Sequence, residues 1–503
     1  MASTAPPRSS APRSRTTQGL PVREQRAEAT RFRRSLTLVG ISVVAPGSAQ
    51  FMAGNRRLGA IVLRSWAGLI VAAGLVLWLV PVDALAGLVV RPWLLTVLKI
   101  VLFVVGVGWI ALVVDAWRLG HPPALSRGHR LVMVVTTLAL CGLVATPLVV
   151  TARYASAAHD AVVAMFPSGE AAVASDGRLN ILLLGADAGA GRVGVRPDSI
   201  NLVSVDVRSG RSVLVSLPRN LEKARFPEGT AAAQRFPDGF SGEGDRGEWL
   251  LNATWTYGEA NPDLFPGPAG PGVTAVEQAV GGTLGLPVHY YVVVDLDGFR
   301  DLVDALGGVT IRITEEIPLG QSGRSLEPGL HELDGYETLW YARSRTGSSD
   351  YARMSRQRCV LGAILQEADP GTVLRNFTAL ADASTSIVTT DIPVGQLPQL
   401  VELAWKAKDL SITTLQLVPP LITPADPDFA AIAEHVEDAV SASRTDGAAP
   451  AASAEETTAA TAEVSDQPSD STAEPSEQPA ADQASSDEAT QPTGDLGSVC
   501  AYE

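Results

Sequence analysis

Apolar residues follow two regimes along this chain. Between residues 35 and 151 they come in long, nearly unbroken runs, and between 176 and 440 in short runs separated by polar turns. The runs 58–80, 93–114 and 131–150 are each about long enough to cross a bilayer as a helix. A weaker run, 35–52, is interrupted by Pro46, Gly47 and Gln50. The arm before it, the loop at Asn55-Arg56-Arg57 and the loop 118–130 are all basic, whereas the loop 81–91 is not. Arg-rich loops prefer the cytoplasm. Placing all three basic segments inside requires three crossings, with 35–52 as a re-entrant or interfacial segment, and brings the chain out on the far side after Val150.

The second regime predicts an α/β domain. Segments 179–184, 200–207, 212–217, 289–294, 309–313 and 412–418 read as strands, and 273–284, 299–306 and 350–365 as helices. Continuous apolar strands alternating with helices predict a sheet covered on both faces, a three-layer α-β-α domain with a mixed central sheet. The expected organisation is therefore a disordered basic arm (1–34), a helical membrane region (35–151), a small-residue linker (152–175), the α/β domain (176–440) and a disordered acidic tail (441–503). Segment 222–248, rich in Gly, Pro and Arg, reads as a long loop placed to cap or gate whatever Arg219 serves. The last residues, 496–502, are apolar enough to dock back onto the domain.

Composition sharpens this only in places. The formal charge of −15 over 503 residues comes mostly from the tail, since no Lys or Arg follows Arg444. No basic face interleaved with aromatics marks a nucleic-acid binder. The three cysteines lack metal-ligand spacing. A domain outside the cytoplasm would allow Cys359 and Cys500 to pair, with two free thiols as the alternative.

The candidate chemistry lies in arginines and carboxylates that arrive in two distant batches. The first holds Asn180 through Asp187, Arg196-Pro-Asp198-Ser199 and Pro218-Arg219-Asn220. The second holds Tyr341-Ala-Arg343-Ser-Arg345 and the stretch from Asp350 through Arg353 and Arg356 to Gln357. If 341–345 is extended, Arg343 and Arg345 share a face, as do Arg196 and Asp198. On a helix, Asp350, Arg353 and Gln357 fall on one stripe. Asp187 follows an apolar strand and a glycine, where ligands sit in α/β sheets. A multiply charged anion explains such a gathering, and arginine forks suit a diphosphate. Six scattered histidines form no His-Glu-x-x-His, and neither a phosphate-binding Gly-Lys loop nor a Gly-x-Ser-x-Gly elbow is present. Glu315-Glu316, directly after a strand, reads as a solvated turn.

These segments resemble the LytR-CpsA-Psr family of cell-envelope phosphotransferases over about residues 176 to 425. Gly185-Ala-Asp187, Arg196-Pro-Asp198-Ser199, Pro218-Arg219-Asn220, Tyr341-Ala-Arg343-Ser-Arg345 and 350–357 occur in the family's order. Pro197 stands where the family usually has Ser, and Asn220 where it has Asp. The resemblance implies transfer of a glycan phosphate from a polyprenyl diphosphate carrier to a wall acceptor such as peptidoglycan. It implies Arg196, Arg219, Arg343, Arg345 and Gln357 as diphosphate ligands, and Arg219, Asp350 and Arg353 as catalytic groups. Asp187 and Asp198 are the best ligands for Mg2+ or Mn2+, being hard oxygen donors with no His or Cys cluster in competition. The resemblance also implies an apolar lipid tunnel, whose lining would read as ordinary core. A multi-pass plasma-membrane protein with an extracytoplasmic catalytic domain is the expected setting, and the Arg- and Ala-rich composition suggests an actinobacterial-type wall. The alternatives are a polyprenyl diphosphate phosphohydrolase and a non-catalytic binder of lipid-linked glycan that regulates wall assembly. Asn220 favours the binder, and the paired aspartates favour the enzyme.

Overall fold

The computed structural model describes residues 22–79, 91–121, 125–186, 195–320, 323–344, 349–368, 388–408, 410–444, 493–496 and 500. The chain divides into two compact units, Met1–Pro81 with Thr96–Ser156, and Val82–Leu95 with Ala157–Glu503.

The first unit is helical. Helix α1 (Val22–Val44) reaches back into the arm that was expected to be disordered, because its apolar side packs Phe32, Leu36, Leu38 and Val39 into a small core; residues 1–21 lie outside the described set. The break at Pro46 and Gly47 is real, with Gly47 in the left-handed region at φ 94° before α2 (Ser48–Ala53). Gln50 does not break the helix: it is buried and donates to the Leu112 carbonyl and to Asp115 Oδ2, both at 3.0 Å. Among the described residues, three helices are long and apolar enough to cross a membrane: α3 (Arg56–Leu79), α4 (Pro92–Leu119) and α5 (Arg127–Met165, with Pro147 inside). Trp78, Phe103 and Leu138 are exposed on them, as lipid-facing residues would be. Ser35 Oγ donates to the Gly120 carbonyl at 2.7 Å, and Ser126 N to Glu28 Oε1 at 2.8 Å. These bonds gather α1 and the basic loop after α4 at one end of the unit.

The second unit is the expected three-layer α-β-α domain. Its seven-stranded sheet contains β1 (Arg178–Ala186), β2 (Pro197–Asp206), β3 (Ser212–Leu217), β4 (Tyr290–Asp295), β9 (Val388–Thr390), β10 (Thr413–Gln416) and β11 (Thr493–Asp495) in the order β11-β10-β3-β2-β1-β4-β9. β1 runs parallel to β4 and β3 parallel to β10, whereas β2, β9 and β11 are antiparallel to their neighbours. The carboxyl ends of β1, β3, β4 and β10 and the start of β2 therefore share one edge. The period-two alternation of strands sorts the side chains. Leu182, Leu184, Leu202, Val213 and Val215 face one way, into the main core with helices α8 (Pro271–Leu284) and α13 (Phe429–Arg444). Leu179, Ile181 and Val205 face the other way, toward the end of α5 and helix α12 (Leu397–Lys408).

Between β3 and β4 lie two short helices, α6 (Ala231–Arg235) and α7 (Thr254–Ala260). After β4 come α9 (Leu296–Leu306), β5 (Val309–Ile313), β6 (Ile317–Pro318), β7 (Ser325–Leu326), β8 (Gly329–Leu333), α10 (Gly335–Arg343) and α11 (Asp350–Glu367). The 309–313 strand is present but pairs with β8 in a separate two-stranded sheet over a second small core. Segment 222–248 is not a loose gate. Phe226, Phe236 and Phe240 are buried and stack on one another, and Phe236 and Phe240 stack on Trp249 and Tyr257, at ring separations of 5.2–6.2 Å, so the segment is part of the main core. Beyond Arg444, the tail up to residue 492 lies outside the described residues, but 493–496 and 500 do dock on the domain.

Candidate active site

Two strand ends begin the site. β1 and β2 pair with a bulge: Gly185 faces Ser199, Ala186 faces Pro197, and Asp198 is the extra residue between them. A bulge re-aims the side chain it carries, and here it presents Asp198 at the carboxyl edge of the sheet. Gly185 keeps the close approach opposite easy, since a Cβ there would lie 3.1 Å from that of Ser199 and press on it. On the next strand, Pro218 ends β3 and Arg219 follows at the same edge.

The first turn of α11 completes the cluster. Ser349 caps the helix by accepting from Ala352 N at 3.2 Å, which places Asp350 in the first turn, where the helix dipole favours a carboxylate. Arg219 bridges the two acids: Nη1 reaches Asp198 Oδ1 at 2.6 Å and Nη2 reaches Asp350 Oδ1 at 3.3 Å. Arg353 grips Asp350 with a fork, Nε to Oδ1 at 3.2 Å and Nη2 to Oδ2 at 3.1 Å, and gives Nη1 to the Asp198 carbonyl at 3.0 Å. Only 1% of Arg353 is exposed, whereas the side chains of Arg219, Asp198 and Asp350 are 25–32% exposed. A buried guanidinium thus fixes a carboxylate whose other partner is open to solvent.

The structure therefore brings Asp198, Arg219, Asp350 and Arg353 together. Of the other predicted ligands, Arg196, Arg343 and Gln357 lie among the described residues. Arg196 is exposed and donates to the Gly247 carbonyl at 3.1 Å. The 341–345 segment is not extended up to Arg343: α10 runs through it because Asp334 caps the helix, accepting from Glu337 N at 2.8 Å. Arg343 is consequently the last helical residue. Gln357 leaves the Asp350–Arg353 stripe to donate to the Ala342 carbonyl at 3.3 Å. Asp187 and Arg345 lie outside the described residues.

Sequence reasoning gave Arg356 no role, although its position three residues after Arg353 was the available signal. It is buried and donates to the Tyr341 carbonyl (3.1 Å), the Ser344 carbonyl and Glu315 Oε1 (3.2 Å). With Gln357 it satisfies carbonyls that the end of α10 leaves open, and so holds the Arg343 end of that helix to α11. Glu315, exposed in the bend after β5 as expected, is also its ion-pair partner. Tyr351 also went unnoticed. Burial raises its phenol, a hydrogen bond with Asn220 works against that, and the Asp350 carboxylate adds to the rise. Asn220 Oδ1 is buried with no partner among the described residues.

On the sheet face opposite the main core lies a cavity of about 660 Å3. Leu179, Ile181 and Leu183 of β1 form part of its wall, with Leu361 and Leu365 of α11 and Leu403 of α12 across from them. Its lining is mostly apolar, with Ser212, Gln366, Ser411 and Asp495 the polar exceptions. The cavity shares α11 with the charged cluster. From Arg353 to Leu361 along that helix is about 12 Å.

Over residues 149–424, more than half of the chain matches the LytR_cpsA_psr family. The transferase TagU of Oceanobacillus iheyensis, a polyisoprenyl-teichoic acid–peptidoglycan teichoic acid transferase, is 28% identical over 241 residues, covering 48% of this chain and 66% of TagU. The biofilm regulatory protein A of Streptococcus mutans is 25% identical over 264 residues, covering 50% of this chain and 59% of that protein. The chain thus spans about two-thirds or less of these curated relatives. Among solved structures, Bacillus subtilis TagV is 22% identical with a TM-score of 0.39, covering 53% of this chain and 97% of TagV. TagT bound to LI-WTA is 21% identical with a TM-score of 0.40, covering 56% and 99%. With the family match spanning six of the sheet's seven strands, the bulge at Asp198, Arg219 and α11, this chain belongs to the LytR-CpsA-Psr family.

Proposed function

We propose that this chain is a membrane-anchored phosphotransferase that moves a glycan phosphate from an isoprenoid diphosphate carrier to a hydroxyl of a wall acceptor such as peptidoglycan. One observation carries the reading: α11 bears the Asp350–Arg353 cluster on its first turn and lines a large apolar cavity with its second half. A ligand with a doubly phosphorylated head and a long apolar tail matches both. The relatives named as polyisoprenyl-linked teichoic acid transferases support the same class.

Phosphoryl transfer depends on positioning and charge neutralisation more than on covalent chemistry. Arg219 is the residue exposed enough to fork onto diphosphate oxygens while Asp198 and Asp350 hold it in place. Asp350, fixed by Arg353, would accept the proton of the acceptor hydroxyl. The hydroxyl oxygen bonds to the glycan-bearing phosphorus, the bond from that phosphorus to the bridging oxygen breaks, and isoprenoid monophosphate leaves. Arg343, Arg345 and Arg196 would add positive charge around the leaving group, and Gln357 would steady the Arg343 segment.

The residues present fit a divalent cation. Asp198 offers a hard, partly exposed carboxylate, and Asp187 follows the adjacent strand. Mg2+ takes one or two carboxylates and completes its shell from substrate phosphates. Bound by Asp198 and Asp187, Mg2+ or Mn2+ would lower the charge of the diphosphate. With an acceptor outside the membrane, the catalytic domain is extracytoplasmic and the basic end of the helical unit cytoplasmic.

The test uses the full chain in detergent with an isoprenoid diphosphate and Mg2+, measuring lipid binding and released phosphate. Binding with metal-dependent cleavage that fails in Asp198→Ala supports the reading. Tight binding with no cleavage, even after wall fragments are added, would instead favour a regulatory binder.

A further inference from the structure

The far wall of the apolar cavity comes from the last residues of the chain. β11 pairs antiparallel with β10, Asp495 opposite Thr413, and Leu496 N donates to the Ile412 carbonyl at 3.0 Å. Thr414 Oγ1 adds a bond to the Gly494 carbonyl at 2.9 Å. Asp495 and Leu496 both line the cavity, and Leu496 is 4% exposed. A disulfide from Cys500 to Cys359 fastens this strap to α11, the helix that forms the opposite wall.

Topology shows which end the strap closes. The charged cluster stands at the carboxyl ends of β1 and β3. Ser212 and Leu179 line the cavity from the amino ends of the same parallel strands, and Asp495 sits beside the first residue of β10. From Leu179 to Leu183 the cavity already runs about 13 Å along β1. The strap is therefore at the end remote from Arg219. A carboxylate there is a poor neighbour for hydrocarbon, because an apolar chain pushed past it would strip its solvation.

We propose that this carboxyl-terminal strap, Asp495 and Leu496 held by the Cys359–Cys500 bond, is the distal stop of the cavity and sets the length of isoprenoid chain accepted. This rests on the isoprenoid diphosphate reading above and adds a specificity determinant to it. Leu496 is the side chain that decides the depth: trimming it lengthens the cavity and enlarging it shortens the cavity.

The full-length protein in detergent would be titrated with geranyl, farnesyl, geranylgeranyl and undecaprenyl diphosphates, in wild type, Leu496→Ala and Leu496→Trp. Thermal melting would check that each variant is folded. Leu496→Ala should move the preference toward longer chains and Leu496→Trp toward shorter ones, each by about tenfold in relative affinity, the scale of one to two buried methylenes. Cys500→Ser should broaden the preference, because the strap then keeps only its strand pairing. Identical length profiles in the folded variants and wild type would overturn the proposal while leaving the transferase reading intact. Failure of the wild type to bind any of the four lipids would remove that reading and this one together.

Discussion

Two arginines on the same carboxylate have opposite burdens. Arg219, a quarter exposed, pairs with Asp198 and Asp350, and ion pairs of that exposure contribute little to stability. Its replacement should therefore cost chemistry rather than fold. Arg219→Ala is expected to lower turnover by at least about 100-fold, the size of a lost transition-state charge contact, with a melting temperature close to wild type. Arg353 is almost fully buried and grips Asp350 with a fork. Arg353→Ala leaves that carboxylate without its anchor and should cost about 3–5 kcal/mol of stability as well as activity. Lys cannot restore the fork, so Arg353→Lys should remain impaired. Melting curves of the variants beside their turnover numbers check both statements.

At the scale of elements, what was readable depended on whether a pattern was local. The alternation of β1, β2 and β3 and the apolar stripe of α8 were legible because each is written within a dozen residues. Residues 341–343 are helical where an extended segment was expected, since their helix is started by Asp334, seven residues before Tyr341, and closed by Arg356 and Gln357 from another helix. Strand 309–313 was found but not its partner, since pairing with 329–333 is decided by the second small core. Segment 222–248 looked like a loop by its Gly and Pro content. Its few aromatics outweigh them, and Gly239 serves close packing, where a Cβ would lie 2.2 Å from the Lys223 carbonyl. One element carries a pH signature: Glu277 of α8 is pushed up to about 7, first by burial and then by Asp391. Its folded value lies above the ordinary 4.5, so its contribution is fully present below about pH 4.5 and is lost as pH rises through about 7. Glu277→Gln should raise the melting temperature at pH 8 by roughly 5 °C and leave it nearly unchanged at pH 4, which paired thermal scans would check.

For the whole molecule, charge clusters in the sequence pointed to one end of the proposed site and nothing pointed to the apolar cavity. Asp198, Arg219, Asp350 and Arg353 were readable because buried or gathered charge needs a reason. The cavity was not, because Leu179, Ile181 and Leu365 are the same residue types that fill a core, and only the topology leaves space between them. The disulfide stood as one of two options in the sequence and is present in the structure, closing a span of 141 residues. Cys359→Ser should cost about 4 kcal/mol, and free-thiol counting should rise from one, Cys141, to two.

The central claim is that one helix serves a diphosphate head and an isoprenoid tail so that a glycan phosphate can be passed to the wall. The most direct measurement supplies the full chain in lipid nanodiscs with Mg2+, an isoprenoid diphosphate-linked glycan and soluble peptidoglycan fragments. Mass spectrometry then follows the fragments and the lipid. The expected result is a glycan phosphate on the fragments with an equal amount of isoprenoid monophosphate, both absent with Arg219→Ala. Monophosphate or inorganic phosphate released without any modified fragment, or unchanged product with Arg219→Ala, would contradict it.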